Sequence, residues 1–178
     1  EKFGRDVAYI VSGSTRITSV QYNNRLASQA ENVRKMLLAM AKDIRVLLVR
    51  LIDRLQDMLL LDLVDRQRQI EVARETMDLY APLASRLGID WLKRQLEDYA
   101  FRYLYPAVFE DVHLRLDSSL TERQSYVDEM IAILYDKLQQ GSVYPSRILG
   151  RPKHLYSIYK KLMAQNIPLE RVYDKVAF

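Results

Sequence analysis

Ile44-Arg45-Val46-Leu47-Leu48-Val49-Arg50-Leu51-Ile52-Asp53-Arg54-Leu55-Gln56-Asp57-Met58, running on through three leucines to Leu63, is the stretch that decides the fold. It holds no Gly and no Pro, and its apolar residues do not alternate with polar ones. A run of this length and pattern predicts a helix over 44–63, apolar nearly all round and therefore buried on most faces. Asp53 and Asp57 lie one turn apart on it. Burying carboxylates is costly unless they are paired or bind metal. Arg50 and Arg54, each three residues earlier, are at pairing distance along a helix, and ion pairing is the reading these residues favour.

Helices extend outward in both directions. Downstream, Ile70, Ala73, Met77, Tyr80, Ala84 and Leu87 recur at steps of three and four, which predicts a helix over 66–87. Pro82 should kink or restart it, and Gly88 should end it. Asp90 is then expected to cap a helix that turns Leu92, Leu96, Tyr99 and Tyr103 inward. Pro106 starts a short helix, and Thr121-x-x-Gln124 opens another that runs to Gly141 with Val127, Met130, Leu134 and Leu138 inward. Upstream, the first dozen residues read as a helix with Phe3, Val7, Ile10 and Val11 on one side. Residues 12–27 read as a polar loop broken by Gly13 and Asn23-Asn24. Ser28-Gln29-Ala30-Glu31 is a capping box opening a helix with Val33, Met36, Leu37 and Met40 toward a core. Beyond Gly141 the character changes. Residues 142–149 look like a strand or an extended approach, 153–165 a helix, and 172–178 a strand.

Composition narrows the chemistry. The 178 residues are 49% apolar and 28% charged, with five Gly and five Pro, which argues for a globular chain of few long loops. There is no Cys, so disulfides, zinc–thiolate sites and cysteine nucleophiles are excluded, and a reducing cytoplasm is the expected compartment. No apolar run approaches the length of a membrane span, and the first residues lack a signal-peptide layout. A net charge of +4 suits phosphate-rich ligands, and is equally ordinary for a small soluble surface.

The residues that carry chemistry are concentrated in Gly150-Arg151-Pro152-Lys153-His154-Leu155-Tyr156-Ser157-Ile158-Tyr159-Lys160-Lys161. With Pro152 at a helix start, Lys153, Ser157 and Lys161 fall four apart on one stripe, while Leu155, Ile158, Tyr159 and Leu162 face a core. Two ammonium groups and a hydroxyl near a helix N-terminus suit an anion, and Arg151 just before can stack on a base or pair with phosphate. The same spacing is also that of a solvated lysine face.

This segment closely resembles the opening signature of the RelA/SpoT synthetase domain, a family that transfers pyrophosphate from ATP to the 3′-hydroxyl of GDP or GTP. The resemblance implies that Arg151, Lys153, Ser157 and Lys161 contact ATP, Arg151 on the adenine and the others on phosphates. His154 matches the signature's histidine and is read as structural. Val172-Tyr173-Asp174-Lys175-Val176-Ala177-Phe178 resembles the family's metal-binding strand, which makes Asp174 the implied Mg²⁺ ligand. Tyr80 to Gly88 and Leu96 to Pro106 resemble the family's linking helices.

Ala41 to Met58 resembles the end of the same family's HD-type hydrolase domain, which removes the 3′-pyrophosphate of (p)ppGpp with Mn²⁺. By that resemblance Asp53 is the last Mn²⁺ ligand. Where the family reads Asp-Arg-Leu-His-Asn-Met-Arg-Thr, this chain has Gln56, Asp57, Leu59 and Leu60 at the four differing places. Asp57 and Leu60 replace the asparagine and threonine that face the hydrolase substrate. They add a negative charge and remove a hydroxyl beside an anionic ligand. There is no His-Asp dipeptide, and the two histidines are His113 and His154.

The expected fold is therefore mainly α: the end of an HD-type hydrolase domain (1–65), linking helices (66–105), and the start of an α/β synthetase domain (106–178) with one or two strands. The expected function is that of part of a (p)ppGpp synthetase of the stringent response, with a weakened or lost hydrolase half. As it stands the stretch is expected to be catalytically incomplete. Implied ligands are ATP, GDP or GTP, (p)ppGpp, Mg²⁺ and, for the hydrolase, Mn²⁺. A ribosome contact would lie in other parts of such a protein, and no membrane contact is expected. The competing reading is a non-catalytic basic helical module binding RNA or a protein partner, which predicts steep salt dependence and no adenine preference.

Overall fold

The computed structural model describes residues 3–18, 43–117, 120–166 and 176–177. Contacts divide the chain into two compact units, residues 1–100 and 101–178. The capping box at 28–31 and its helix lie outside the described residues, as do Asn23-Asn24 and 171–175.

The first unit opens with α1 (Arg5–Thr18), followed by α2 (Ile44–Leu59). The helix α1 does not stop near Ser12 as the polar composition suggests, but continues through Gly13 to Thr18. Gly13 is a packing point rather than a breaker. A Cβ built on it would lie 2.9 Å from Cγ2 of Val46, a residue 2% exposed on α2. Glycine costs a helix about 1 kcal/mol relative to alanine, and the close approach of the two helices offsets this. Gly13→Ala is accordingly expected to destabilise the unit. Overpacking of about 1–3 kcal/mol exceeds the gain in propensity, because Val46 is β-branched and buried and has few rotamers to move into. Urea unfolding reads this directly, and a stabilised variant would show that α1 slides away at no cost.

Asp43 caps α2, accepting the Arg45 N–H at 2.9 Å and the Arg45 guanidinium at 2.8 Å. The hydrogen bonds from Arg45 hold its carboxyl below the ordinary range. The buried positions of α2 are Val46, Leu47, Leu51, Arg54 and Met58, a single stripe at helical spacing. Ile44, Leu48, Val49, Ile52 and Leu59 are exposed. Burial is thus one-sided, not on most faces as the composition of the run predicts, because tertiary packing selects one stripe of an almost uniformly apolar helix. The helix also ends at Leu59, and Leu61–Leu63 form a 3₁₀ turn.

Asp65 caps α3 (Arg66–Glu75) by accepting the Arg68 N–H at 3.0 Å. A π turn follows over Thr76–Tyr80, then α4 over Ala81–Arg86. The restart expected at Pro82 takes this form. Pro82 has no N–H and its ring crowds the carbonyl four residues back. Widening the preceding turn relieves this, and the Ala81 N–H bonds to the Thr76 carbonyl five residues earlier. Gly88, at φ +73, closes α4 as expected: the Ile89 N–H reaches the Ala84 carbonyl and the Gly88 N–H that of Ser85. Asp90 is the first residue of α5 (Asp90–Leu104) rather than its cap, since the Ile89 carbonyl already accepts from Leu92 and Lys93. Leu92 and Leu96 are fully buried and Tyr103 nearly so, whereas Tyr99 is half-buried.

The second unit begins within α5 at Phe101 and continues with α6 (Pro106–Asp117) and α7 (Leu120–Gln140). Thr121 lies inside α7, so Thr121-x-x-Gln124 is not in capping position, and the Gln124 amide donates to Asp128. Val127 is buried and Met130 and Leu138 are half-buried, but Leu134 is exposed, so the inward stripe is shorter than the periodicity suggests. The left-handed residue that ends α7 is Ser142 at φ +56, one place after the expected Gly141. Val143 N–H to Leu138 carbonyl and Ser142 N–H to Gln139 carbonyl close the end. Residues 143–150 are irregular and not a strand; the Ile148 N–H donates to the Tyr135 hydroxyl at 3.1 Å.

A two-residue strand β1 (Arg151–Pro152) pairs antiparallel with β2 (Val176–Ala177), Arg151 opposite Ala177 and Pro152 opposite Val176. Between them lies α8 (Leu155–Gln165), closed by Asn166 in the left-handed region at φ 49. Val112, Leu116 and Ile158 form a buried cluster joining α6 to α8, with Leu155 and Leu162 against it. The fold is mainly α with short strands near its C-terminal end. No described helix is long and apolar enough to cross a membrane.

Candidate functional site

The structure changes the geometry of 150–161. Pro152 sits in β1 and its ladder continues the extended backbone, so the helix starts only after His154, which holds the N-cap position at φ −76, ψ 158. Its carbonyl accepts the Ser157 and Ile158 N–H groups at 3.1 and 3.2 Å. Lys153 is therefore not on the helical stripe predicted for it. Ser157 and Lys161 are, one turn apart and both half-buried, while Lys153 stands two residues ahead of the first turn. Arg151 is exposed on β1. Asp174 lies outside the described residues, just before β2.

An open groove of about 550 Å³ is lined by Pro152, Lys153 and His154 on one side and by Thr121 and Gln124 of α7 on the other. Thr121 and Gln124 escaped the sequence reading because their spacing matches a helix cap. Only the tertiary fold brings them to a segment some thirty places on. The far side of α8 is anchored by aromatic rings. Tyr159 stacks on Phe101 at 4.7 Å between centroids, and Tyr156 meets Phe101 at 5.7 Å. The Lys160 ammonium lies 5.0 Å over the Tyr156 ring. Ile158 is fully buried, Ser157 and Lys161 are half-buried, and Lys160 is exposed. Such an arrangement, cationic and hydroxyl groups about a helix N-terminus, can hold phosphate oxygens.

The carboxylates of α2 are not buried. The Asp53 side chain is 52% exposed with Arg50 Nη1 at 3.9 Å, and Asp57 is 63% exposed with Arg54 Nε at 4.0 Å. The stronger partner of Arg54 is Glu75 on α3, at 2.7 Å, which the local spacing does not reveal. The guanidinium also lies 4.1 Å over the Tyr80 ring. Burial works to lower the Arg54 pKa, but Tyr80 and Glu75 outweigh it and hold the pKa above the ordinary arginine range. Leu60, half exposed, is the C-cap of α2. Among the described residues no three His, Asp or Glu side chains gather as metal ligands. Asp53, shared with Arg50, does not make a Mn²⁺ site by itself.

Residues 1–90, half of the chain, match the family model described as HD domain. The helices described within residues 1–90 fit that class. Over 181 residues the chain is 42% identical to a GTP pyrophosphokinase of Myxococcus xanthus, covering 100% of this chain and 24% of the relative. It is 40% identical over 175 residues to a probable guanosine-3′,5′-bis(diphosphate) 3′-pyrophosphohydrolase of Synechocystis, covering 98% and 23%. It is 35% identical over 176 residues to the bifunctional (p)ppGpp synthase/hydrolase SpoT of Escherichia coli K12, covering 99% and 25%. The chain belongs to the RelA/SpoT family of HD-domain proteins. It spans about a quarter of the length of the curated relatives it matches.

Proposed function

We propose that this stretch carries the ATP-binding face of a (p)ppGpp synthetase. The observation that supports it most is the placement of Lys153 at the groove ahead of α8, with Ser157 and Lys161 one turn apart on the helix behind it. On this reading the phosphates of ATP lie against these three residues and Arg151 stacks on the adenine. GDP or GTP is the acceptor, bound by other parts of such a protein. Asp174 offers a carboxylate of the kind that Mg²⁺ takes when it bridges phosphates. Lys153 and Lys161 would neutralise phosphate charge and fix its orientation, and orientation is most of what phosphoryl transfer asks of a protein.

The hydrolase half is proposed to be weakened. Asp57 places a carboxylate where the resemblance puts an asparagine toward an anionic substrate, and it is mostly exposed rather than neutralised by burial with Arg54. Calorimetric titration of the chain with ATP, at low and moderate salt, tests the binding face. Lys153→Ala with Lys161→Ala is expected to lower the affinity at least about tenfold, given charge-assisted phosphate contacts of about 1.5–3 kcal/mol each. Affinity unchanged by both substitutions would remove the cradle. Affinity for RNA that falls steeply with salt, with no preference for adenine nucleotides, would favour the basic-module reading instead.

A further inference from the structure

Arg123 stands on α7 between Thr121 and Gln124, the two α7 residues that line the groove, and is 8% exposed. A guanidinium is seldom buried to this degree without acceptors. Two of its acceptors are main-chain carbonyls from different parts of the unit. Its Nη1 donates to the Lys153 carbonyl and its Nη2 to the Leu116 carbonyl, each at 3.4 Å. Leu116 is in the last turn of α6, where carbonyls lack partners within the helix and a cation is favoured. Its side chain belongs to the buried cluster with Val112 and Ile158. Lys153 lies in the two-residue join between β1 and α8, beside His154, whose carbonyl accepts the first N–H groups of the helix.

We infer that Arg123 is the positioning residue of the ATP-binding face: its fork ties the Lys153 backbone to the end of α6 and so sets where the Lys153 ammonium is presented. The inference rests on the ATP-binding reading and adds to it a residue outside the 150–161 signature. The fork matters as much as the charge. A lysine at 123 keeps the charge but offers a single ammonium in place of two nitrogens splayed toward two carbonyls.

A double-substitution cycle on ATP affinity tests this in the full chain, with amide hydrogen exchange at 153–154 read alongside. Arg123→Gln is expected to weaken ATP binding about five- to tenfold and to raise exchange at 153–154 without raising it through α7. In a Lys153→Ala background it should then weaken binding less than twofold, since Arg123 acts through Lys153. Arg123→Lys should fall between Arg123→Gln and the unmodified chain. Losses that simply add in the double variant, or unchanged exchange at 153–154, overturn the role of Arg123 and leave the ATP face standing. Failure of the unmodified chain to bind ATP overturns both. If Arg123→Gln unfolds the unit, exchange rises everywhere, and the cycle is then decided on Arg123→Lys, for which additive losses again overturn the role.

Discussion

Phe101→Ala is expected to cost the second unit about 3–5 kcal/mol, the largest loss of any single substitution considered for it. The side chain is fully buried, and its ring meets four others: Tyr105 at 6.1 Å, Phe109 and Tyr156 at 5.7 Å, and Tyr159 at 4.7 Å. Truncation removes the transfer free energy of the ring and leaves a cavity that three separate helical segments would have to close. Each lost ring pair adds about 0.5–1.5 kcal/mol beyond area. Tyr156 and Tyr159 flank Ser157 and Ile158 on α8, so the same substitution loosens the helix that carries the proposed phosphate contacts. Urea unfolding, followed by tyrosine near-ultraviolet dichroism, measures it. Phe101→Leu should cost less than half as much, because volume is largely kept. A loss under about 1 kcal/mol for Phe101→Ala would contradict a stack that anchors α8, given the ordinary cost of emptying such a site.

Arg54→Ala is expected to cost the first unit about 3 kcal/mol, at the lower end for breaking a buried ion pair. The Arg54 side chain is 8% exposed, but that of Glu75 is 23% exposed, so some water can solvate the carboxylate left behind. The loss includes the packing of the guanidinium over Tyr80. Arg54→Met combined with Glu75→Gln should recover most of it, because shape is kept and no charge is stranded. The pH dependence has a definite sign. The folded pKa of Arg54 is raised, so its contribution is fully present below the unfolded arginine value and is lost only above the folded one. Titration of Arg54 itself therefore removes nothing across neutral and mildly alkaline pH. Denaturant midpoints for the variants across that range check both statements.

Much of the helical frame is legible in the sequence because it is written locally. Pro82 and Gly88 act through their own backbone chemistry, and the π turn and the helix end fall where they stand. What local reading misses is decided by distant packing. Gly13 carries the composition of a breaker, but Val46 makes it a crossing point, which no window around residue 13 contains. The apolar run 44–58 names candidates for burial without saying which stripe is used. The same limit applies to the site. Lys153, Ser157 and Lys161 are spaced for one helical stripe, and a ladder with residues 176–177 holds 151–152 extended and displaces Lys153 from it. Thr121 and Gln124 line the groove from α7, Arg123 reaches the Lys153 carbonyl, and Glu75 reaches Arg54 from α3. These partners are 21 and 30 places away along the chain, beyond any motif spacing.

The most direct test of the ATP-binding face is a titration of the isotopically labelled chain with Mg²⁺–ATP, followed amide by amide. The shifts should concentrate at Arg151, Lys153, His154, Ser157 and Lys161, with smaller ones at Thr121 and Gln124, and should vanish in the Lys153→Ala, Lys161→Ala double variant. Shifts confined to residues 50–60 of α2, or spread evenly over the basic surface and abolished by moderate salt, would contradict it.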